Sequence, residues 1–119
     1  MNSTHIIGNV SSDVELRTTT SGKEVCSFTV AVNRRKTQSN PDPGADFFRV
    51  SAWGERGKTC NKFLKKGKKV SVVGPVSVRA YVNSKGEAAA SLEITADDAE
   101  FLSPKENAVN DPDDPFLGR

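Results

Sequence analysis

A two-residue alternation of apolar and polar side chains sets the fold class of this chain. It is clearest over residues 25–33, where every second residue is apolar: Cys26, Phe28, Val30 and Val32. Successive side chains of a β-strand point to opposite faces, so this pattern predicts a strand with one face on a core. The same alternation recurs over residues 47–53, 68–82 and 88–96, which predicts a mainly β protein.

Only one segment shows helical spacing instead. Cys60, Phe63 and Leu64 form a short apolar stripe at i, i+3 and i+4, which predicts a helix over residues 55–66 that ends before Gly67. Strong turn and loop signals separate the other elements, notably the proline-rich range 37–46 and the range 83–86. Within the long alternating segment 68–82, Gly74-Pro75 predicts a bulge or a bend.

This order of elements predicts an all-β fold, a five-stranded Greek-key barrel of the OB type with one helix between strands 3 and 4. The barrel would occupy residues 1–102 as one domain. Residues 103–119 are rich in Pro, Asn and Asp and lack periodicity, so we expect a disordered acidic tail. Although the net charge is only +2, the basic residues are concentrated before this tail, an arrangement found in proteins that bind polyanions.

Composition argues against several other classes of protein. No apolar segment reaches the ~20 residues that a membrane helix needs, and the N-terminal sequence does not resemble a secretory signal. Cys26 and Cys60 lie far apart with no metal-binding spacing, which favours two buried thiols in a reducing cytoplasm. We therefore expect no metal, no cofactor, no membrane association and a cytoplasmic location.

The segment 47–53 carries the strongest functional signal. Its core face would hold Phe48, Val50 and Ala52, while the opposite face would hold Phe47, Arg49, Ser51 and Trp53. Flat aromatic rings beside a cation suit a surface on which unpaired bases stack and phosphates are neutralised. A strand buried on both faces would also explain the pattern. Tyr81 and Arg79 form a second pair of this kind, with a place on the barrel rim as the alternative for Tyr81.

Cationic side chains cluster near these aromatic residues. Binding to a nucleic-acid strand requires such charges, because each phosphate that a protein neutralises releases condensed counterions. The candidates for phosphate binding are Arg34, Arg35, Lys36, Arg49 and Arg79.

The chain resembles the bacterial and phage single-stranded DNA-binding protein family. The residues that carry the resemblance occur in order over about residues 5–102 and are Ile7-Gly8-Asn9-Val10, Asp13-Val14-Glu15-Leu16-Arg17, Phe28-Thr29-Val30-Ala31-Val32-Asn33-Arg34, Asp46-Phe47-Phe48-Arg49-Val50, Trp53-Gly54, Phe63-Leu64-Lys65-Lys66-Gly67 and Val73-Gly74. The resemblance implies an OB fold, a homotetramer, and binding of single-stranded DNA without sequence preference during replication, recombination and repair.

The resemblance also assigns roles to individual residues. It places base stacking on Phe47, Trp53 and Tyr81, and it places a further stacking position near Lys36, where this chain lacks an aromatic ring. Members of the family recruit replication and repair proteins through an acidic C-terminal tip. The corresponding residues here are Asp113, Asp114, Pro115 and Phe116, followed by three residues that should weaken such recruitment.

Three other functions remain open at this level. An RNA-binding or primosome-type OB protein would use the same aromatic surface. A nuclease would need clustered acids, for which Asp97, Asp98 and Glu100 are the candidates, although a solvated turn is the simpler interpretation and we expect no enzymatic activity. A scaffold would act through its tail alone.

Overall fold

The computed structural model describes residues 1–102, which form eight strands and one helix. The elements are β1 (Thr4–Val10), β2 (Glu15–Thr18), β3 (Glu24–Asn33), β4 (Ala45–Trp53), α1 (Gly54–Phe63), β5 (Lys69–Gly74), β6 (Val76–Val82), β7 (Ala88–Thr95) and β8 (Asp98–Phe101). The predictions for residues 103–119, including the acidic tip Asp113, Asp114, Pro115 and Phe116, lie outside the described residues.

All eight strands belong to one hydrogen-bonded sheet. Its order is β6-β7-β4-β3-β1-β5-β8, and β2 pairs with β3 beside this path. The pairs are antiparallel except for β4 and β7, which run parallel. The hydrogen bonds do not form a closed ring, but the strands β5 and β6 are separated in the chain only by Pro75. The fold is therefore OB-like, with one helix between β4 and β5.

The predicted interruption at Gly74-Pro75 divides the long alternating segment into β5 and β6. β5 pairs with β1, whereas β6 pairs with β7, so the chain changes neighbours at this point. A Cβ atom at Gly74 would overlap the carbonyl oxygen of Thr95, which explains why a residue without a side chain is needed there.

One face of the sheet forms the core. Phe28, Val30, Val50, Val70 and Val72 are fully buried, and they come from the apolar phases predicted for their strands. In β3 the alternation predicts burial less accurately. Val25 and Ser27 are buried, although their positions in the alternation place them on the outer face. The periodicity of the strands thus identifies these core residues but misses Val25 and Ser27.

The helix α1 ends at Phe63, three residues before the predicted end. Leu64 has an extended backbone and is buried, while its N–H donates to the carbonyl of Cys60 at 2.8 Å. Gly57 lies against β4, so closely that a Cβ atom there would overlap the carbonyl oxygen of Ala52. The close approach holds the helix directly against the C-terminal end of β4.

The β6–β7 hairpin departs from the expected burial. The alternation over residues 68–82 places Val76, Val78, Ala80 and Val82 on one face. Of these four, only Val76 is partly buried, and it alone packs against the core. Val78 and Val82 are exposed because the hairpin extends beyond the core residues. In β6, alternation therefore predicts which side chains share a face, but it does not predict whether they are buried.

Replacing Gly57 by alanine should destabilise the protein, because the added methyl group has no space beside Ala52. We expect Gly57→Ala to lower the free energy of unfolding by about 1–3 kcal/mol, the usual cost of overpacking. Urea denaturation measures this change. Asn61→Ala, at an exposed position of the same helix, is the control and should be neutral or slightly stabilising. Equal stabilities of the two variants would contradict this packing.

Both cysteines should resist modification in the folded protein. Burial raises the pKa of the Cys60 thiol from 9.0 to about 11, and burial also raises the pKa of Cys26. Since the thiolate is the reactive form, neither thiol should react with an aromatic disulfide reagent at pH 8. Both should react after unfolding in urea. Rapid labelling without urea would show that at least one thiol is accessible.

Candidate functional site

The strand β4 carries two exposed aromatic rings on its outer face. Phe47 is 58% exposed and Trp53 is 44% exposed, whereas Val50 and Ala52 on the opposite face are fully buried. Arg49 and Ser51 lie between the two rings and are partly exposed. Phe47 and Trp53 are six residues apart in the sequence, which corresponds to about 20 Å at the usual rise of a strand. The strand is thus not buried on both faces. One face packs on the core and the other is exposed, as the alternation predicted.

Phe48, the neighbour of Phe47, takes the inward position. It is partly buried and packs against the core, opposite Val30 of β3 and Leu92 of β7. The two adjacent phenylalanines therefore lie on opposite faces, as the alternation predicted. No exchange of faces occurs between them.

Tyr81 and Arg79 join this surface through the neighbouring strands. Arg49 is in register with Glu93 of β7, and the β6–β7 register pairs Arg79 with Ser91 and Tyr81 with Ala89. Residues in register on adjacent strands point to the same face, so Arg79 and Tyr81 share the face of Arg49. Tyr81 is 46% exposed. These strands form an open groove of about 360 Å³, lined by Arg49, Arg79, Tyr81, Ser91 and Glu93.

We use the name aromatic face for the outer surface formed by Phe47, Arg49, Ser51, Trp53, Arg79 and Tyr81. Arg49 is held in place within it, because its Nη1 donates to Thr29 Oγ1 at 3.2 Å. Arg49 makes no ion pair with any other residue of the range 1–102. Its charge is therefore available to an anionic ligand.

Arg34 differs from Arg49 because a carboxylate already holds it. The Arg34 Nη2 lies 2.7 Å from Asp46 Oδ1, and its Nε donates to the same oxygen at 2.9 Å. The hydrogen bond and the charge of Asp46 raise the pKa of Arg34. The sequence placed Arg34 among the candidates for phosphate binding, but it did not reveal that Asp46 lies across the β3–β4 ladder.

Arg79 also has an acidic neighbour on the aromatic face. Its Nη1 lies 3.9 Å from Glu93 Oε1, and both side chains are partly exposed, so the attraction is weak. Glu93 was not identified from the sequence. Its position in the alternation of β7 indicates that the side chain points outward, but not that Arg79 lies beside it. Arg35 and Lys36 are exposed in the segment that follows β3, outside the strands of the aromatic face.

Trp53 occupies the point where β4 gives way to α1. It is the N-cap residue of the helix, and the next residue, Gly54, has φ +64°, a conformation that favours glycine. The Trp53 side chain is not covered by the helix and remains exposed. Open grooves adjoin it on several sides, lined in part by Arg17, Ser51 and Arg56.

The acidic candidates for a catalytic centre do not converge. Asp97 and Asp98 are exposed at the turn into β8, and Glu100 is exposed within that strand. Among residues 1–102, no group of three His, Cys, Asp or Glu side chains is placed to hold a metal ion. In the same range, no helix is long and apolar enough to cross a membrane.

Comparison with solved structures supports the fold. A small single-stranded DNA-binding protein from Streptomyces coelicolor superimposes with a TM-score of 0.74 at 24% sequence identity, covering 84% of this chain and 93% of that one. At this identity the likeness concerns the fold alone. It confirms the expected mainly β fold of the OB type.

Sequence comparison identifies relatives in bacteria. Single-stranded DNA-binding protein 1 of Staphylococcus aureus strain MSSA476 is 38% identical over 113 residues, which cover 95% of this chain and 72% of the relative. Single-stranded DNA-binding protein 2 of Listeria monocytogenes strain EGD-e is 37% identical over 109 residues, covering 92% and 68%. The model of the single-strand binding protein family matches residues 1–102, and the chain therefore belongs to that family.

Proposed function

We propose that this protein binds single-stranded DNA without sequence preference and coats it during replication, recombination and repair. The observation that carries the proposal is the aromatic face, on which three exposed rings accompany an arginine that has no carboxylate partner in the described range. Membership of the family and the names of the relatives support the same function.

The chemistry of the aromatic face explains why the sequence of the DNA would not matter. Every base offers a π-face to a ring such as Phe47, and stacking contributes roughly 1–3 kcal/mol per base. Every nucleotide also carries a phosphate, which Arg49 can neutralise. In a DNA duplex the bases are stacked on one another, so their faces are not available to protein rings. The surface should therefore select unpaired strands.

Assembly, location and partners complete the proposal. We expect a homotetramer in the bacterial cytoplasm, close to the nucleoid, and light scattering combined with a titration of dT length would test the assembly. The acidic tip at Asp113, Asp114, Pro115 and Phe116 would recruit replication and repair proteins. Removing residues 103–119 should leave DNA binding intact but abolish such recruitment.

The alternatives predict different results with the same protein. A protein that acts on RNA or in a primosome should bind a matched RNA oligonucleotide at least as tightly as the DNA. A nuclease should degrade single-stranded DNA in the presence of magnesium, whereas we expect the DNA to remain intact. A scaffold that acts through its tail alone should not bind DNA at all.

The first prediction for this function concerns the intrinsic fluorescence of Trp53, which is the sole tryptophan of the chain. Oligo-dT should quench the emission, because a base stacks on the exposed indole, and added salt should partly reverse the quenching. A duplex of the same length should quench far less. Unchanged emission at saturating dT would contradict stacking at Trp53.

The second prediction concerns Phe47 and Tyr81. Loss of one stacking ring should weaken oligo-dT binding by about 5- to 150-fold, which corresponds to 1–3 kcal/mol. We expect this for Phe47→Ala and Tyr81→Ala, measured by titration and with the fold checked by circular dichroism. Phe63→Ala is the matched control, because Phe63 is 41% exposed but lies on the helix beside Phe101. If both test variants bind like this control, the aromatic face is not the site.

The third prediction concerns Asp46. Asp46→Asn should release Arg34 for a phosphate and remove a repulsive charge, so DNA binding should tighten. The slope of log K against log salt should become steeper by about 0.7, the value for one additional phosphate on a single strand. Glu100→Gln, at an exposed position of β8, makes the same charge change elsewhere. Equal effects of the two substitutions would show that only net charge matters.

A further inference from the structure

A second groove continues the aromatic face on the other side of Trp53. It has a volume of about 220 Å³, and the residues that line it include Arg17, Ser51 and Trp53. Val25 and Ser27 also line it, and both are buried although their phase in β3 is outward. The two exceptions to the alternation of β3 thus lie along the wall of this groove.

The pairing of three strands brings Arg17 and Trp53 together. Arg17 of β2 is in register with Val25 of β3, and Val25 is in register with Trp53 of β4. Residues in register on adjacent strands point to the same face, and each strand spacing is about 4.8 Å. The Cα atoms of Arg17 and Trp53 are thus about 10 Å apart on one surface, a distance that their long side chains can bridge with a nucleotide between them.

The charge of Arg17 is not compensated within the described range. Arg17 is exposed and makes no ion pair with another residue of 1–102, in contrast to Arg34 with Asp46 and Arg79 with Glu93. Glu15 precedes it on the same face of β2, but no ion pair joins the two side chains. An arginine beside an exposed indole offers both contacts that a nucleotide of a single strand needs, a π-face and a cation.

We propose that Arg17 binds a phosphate of single-stranded DNA and forms one nucleotide subsite together with Trp53. This inference rests on the proposed function and extends the binding surface from β4 across β3 to the edge strand β2. The strand of DNA would run from the groove at Tyr81, along β4, past Trp53, and onto Arg17. The hydroxyl of Ser51, which makes no hydrogen bond with another residue of the range 1–102, lines the same groove and can donate to the bound nucleotide.

The test is a salt titration of oligo-dT binding with Arg17→Met and the parent protein. Loss of one phosphate contact should reduce the slope of log K against log salt by about 0.7, which corresponds to about fivefold weaker binding at 0.1 M salt. Lys66→Met is the control, since Lys66 is an exposed cation beyond the helix and away from the groove. Arg17→Lys keeps the charge and should retain most of the slope. Circular dichroism checks that each variant is folded.

A double-mutant cycle tests the shared subsite. If Arg17 and Trp53 hold the same nucleotide, Arg17→Met and Trp53→Ala should together weaken binding by less than the product of their separate effects. Independent effects that multiply would refute the shared subsite. Binding of Arg17→Met that matches Lys66→Met would refute the role of Arg17 while leaving the proposed function intact. Failure of the parent protein to bind oligo-dT would instead refute the proposed function itself.

Discussion

The antiparallel ladder between β3 and β4 fixes which side chains face the core and which face outward. It is unbroken from Val25 opposite Trp53 to Asn33 opposite Ala45. Because side chains alternate along a strand, a slip of one residue would turn Phe47 and Trp53 into the core and expose Val50 and Ala52. The buried contacts of Val50 with the core therefore fix the outward direction of the rings. Stability and the proposed binding surface depend on the same register.

The arginines of the outer surface differ in whether a carboxylate lies beside them. Arg49 is oriented by a neutral hydroxyl, and Arg17 has no carboxylate within 4.0 Å in the described range. Arg34 is bound to Asp46, and Arg79 lies near Glu93. A phosphate must compete with a carboxylate for the last two arginines, whereas it can approach the first two directly. Arg17 and Arg49 are therefore open to a phosphate, whereas DNA must displace a carboxylate to reach Arg34 and Arg79.

In the β6–β7 hairpin, one end of β6 packs on the core and the rest of the strand is exposed. Its outer side carries Arg79 and Tyr81, while the opposite side carries the exposed apolar residues Val78 and Val82. Near the core, Val76 of the same strand is partly buried and packs on core residues. Alternation continues along the whole strand, but burial ends where the hairpin passes the last core residue. This explains why the phase was predictable while the exposure was not.

Local patterns in the sequence predicted the mainly β character, the single helix, the interruption at Pro75 and the outward direction of Phe47 and Trp53. These features follow from local periodicity and turn chemistry, which act between residues close in the chain. The folded structure was needed to reveal that Arg34 meets Asp46, that Glu93 lies beside Arg79, and that Arg17 shares a groove with Trp53. Such contacts depend on which strands pair and in which register, including the parallel pair β4–β7. No local pattern encodes that register, because it results from the packing of the whole core.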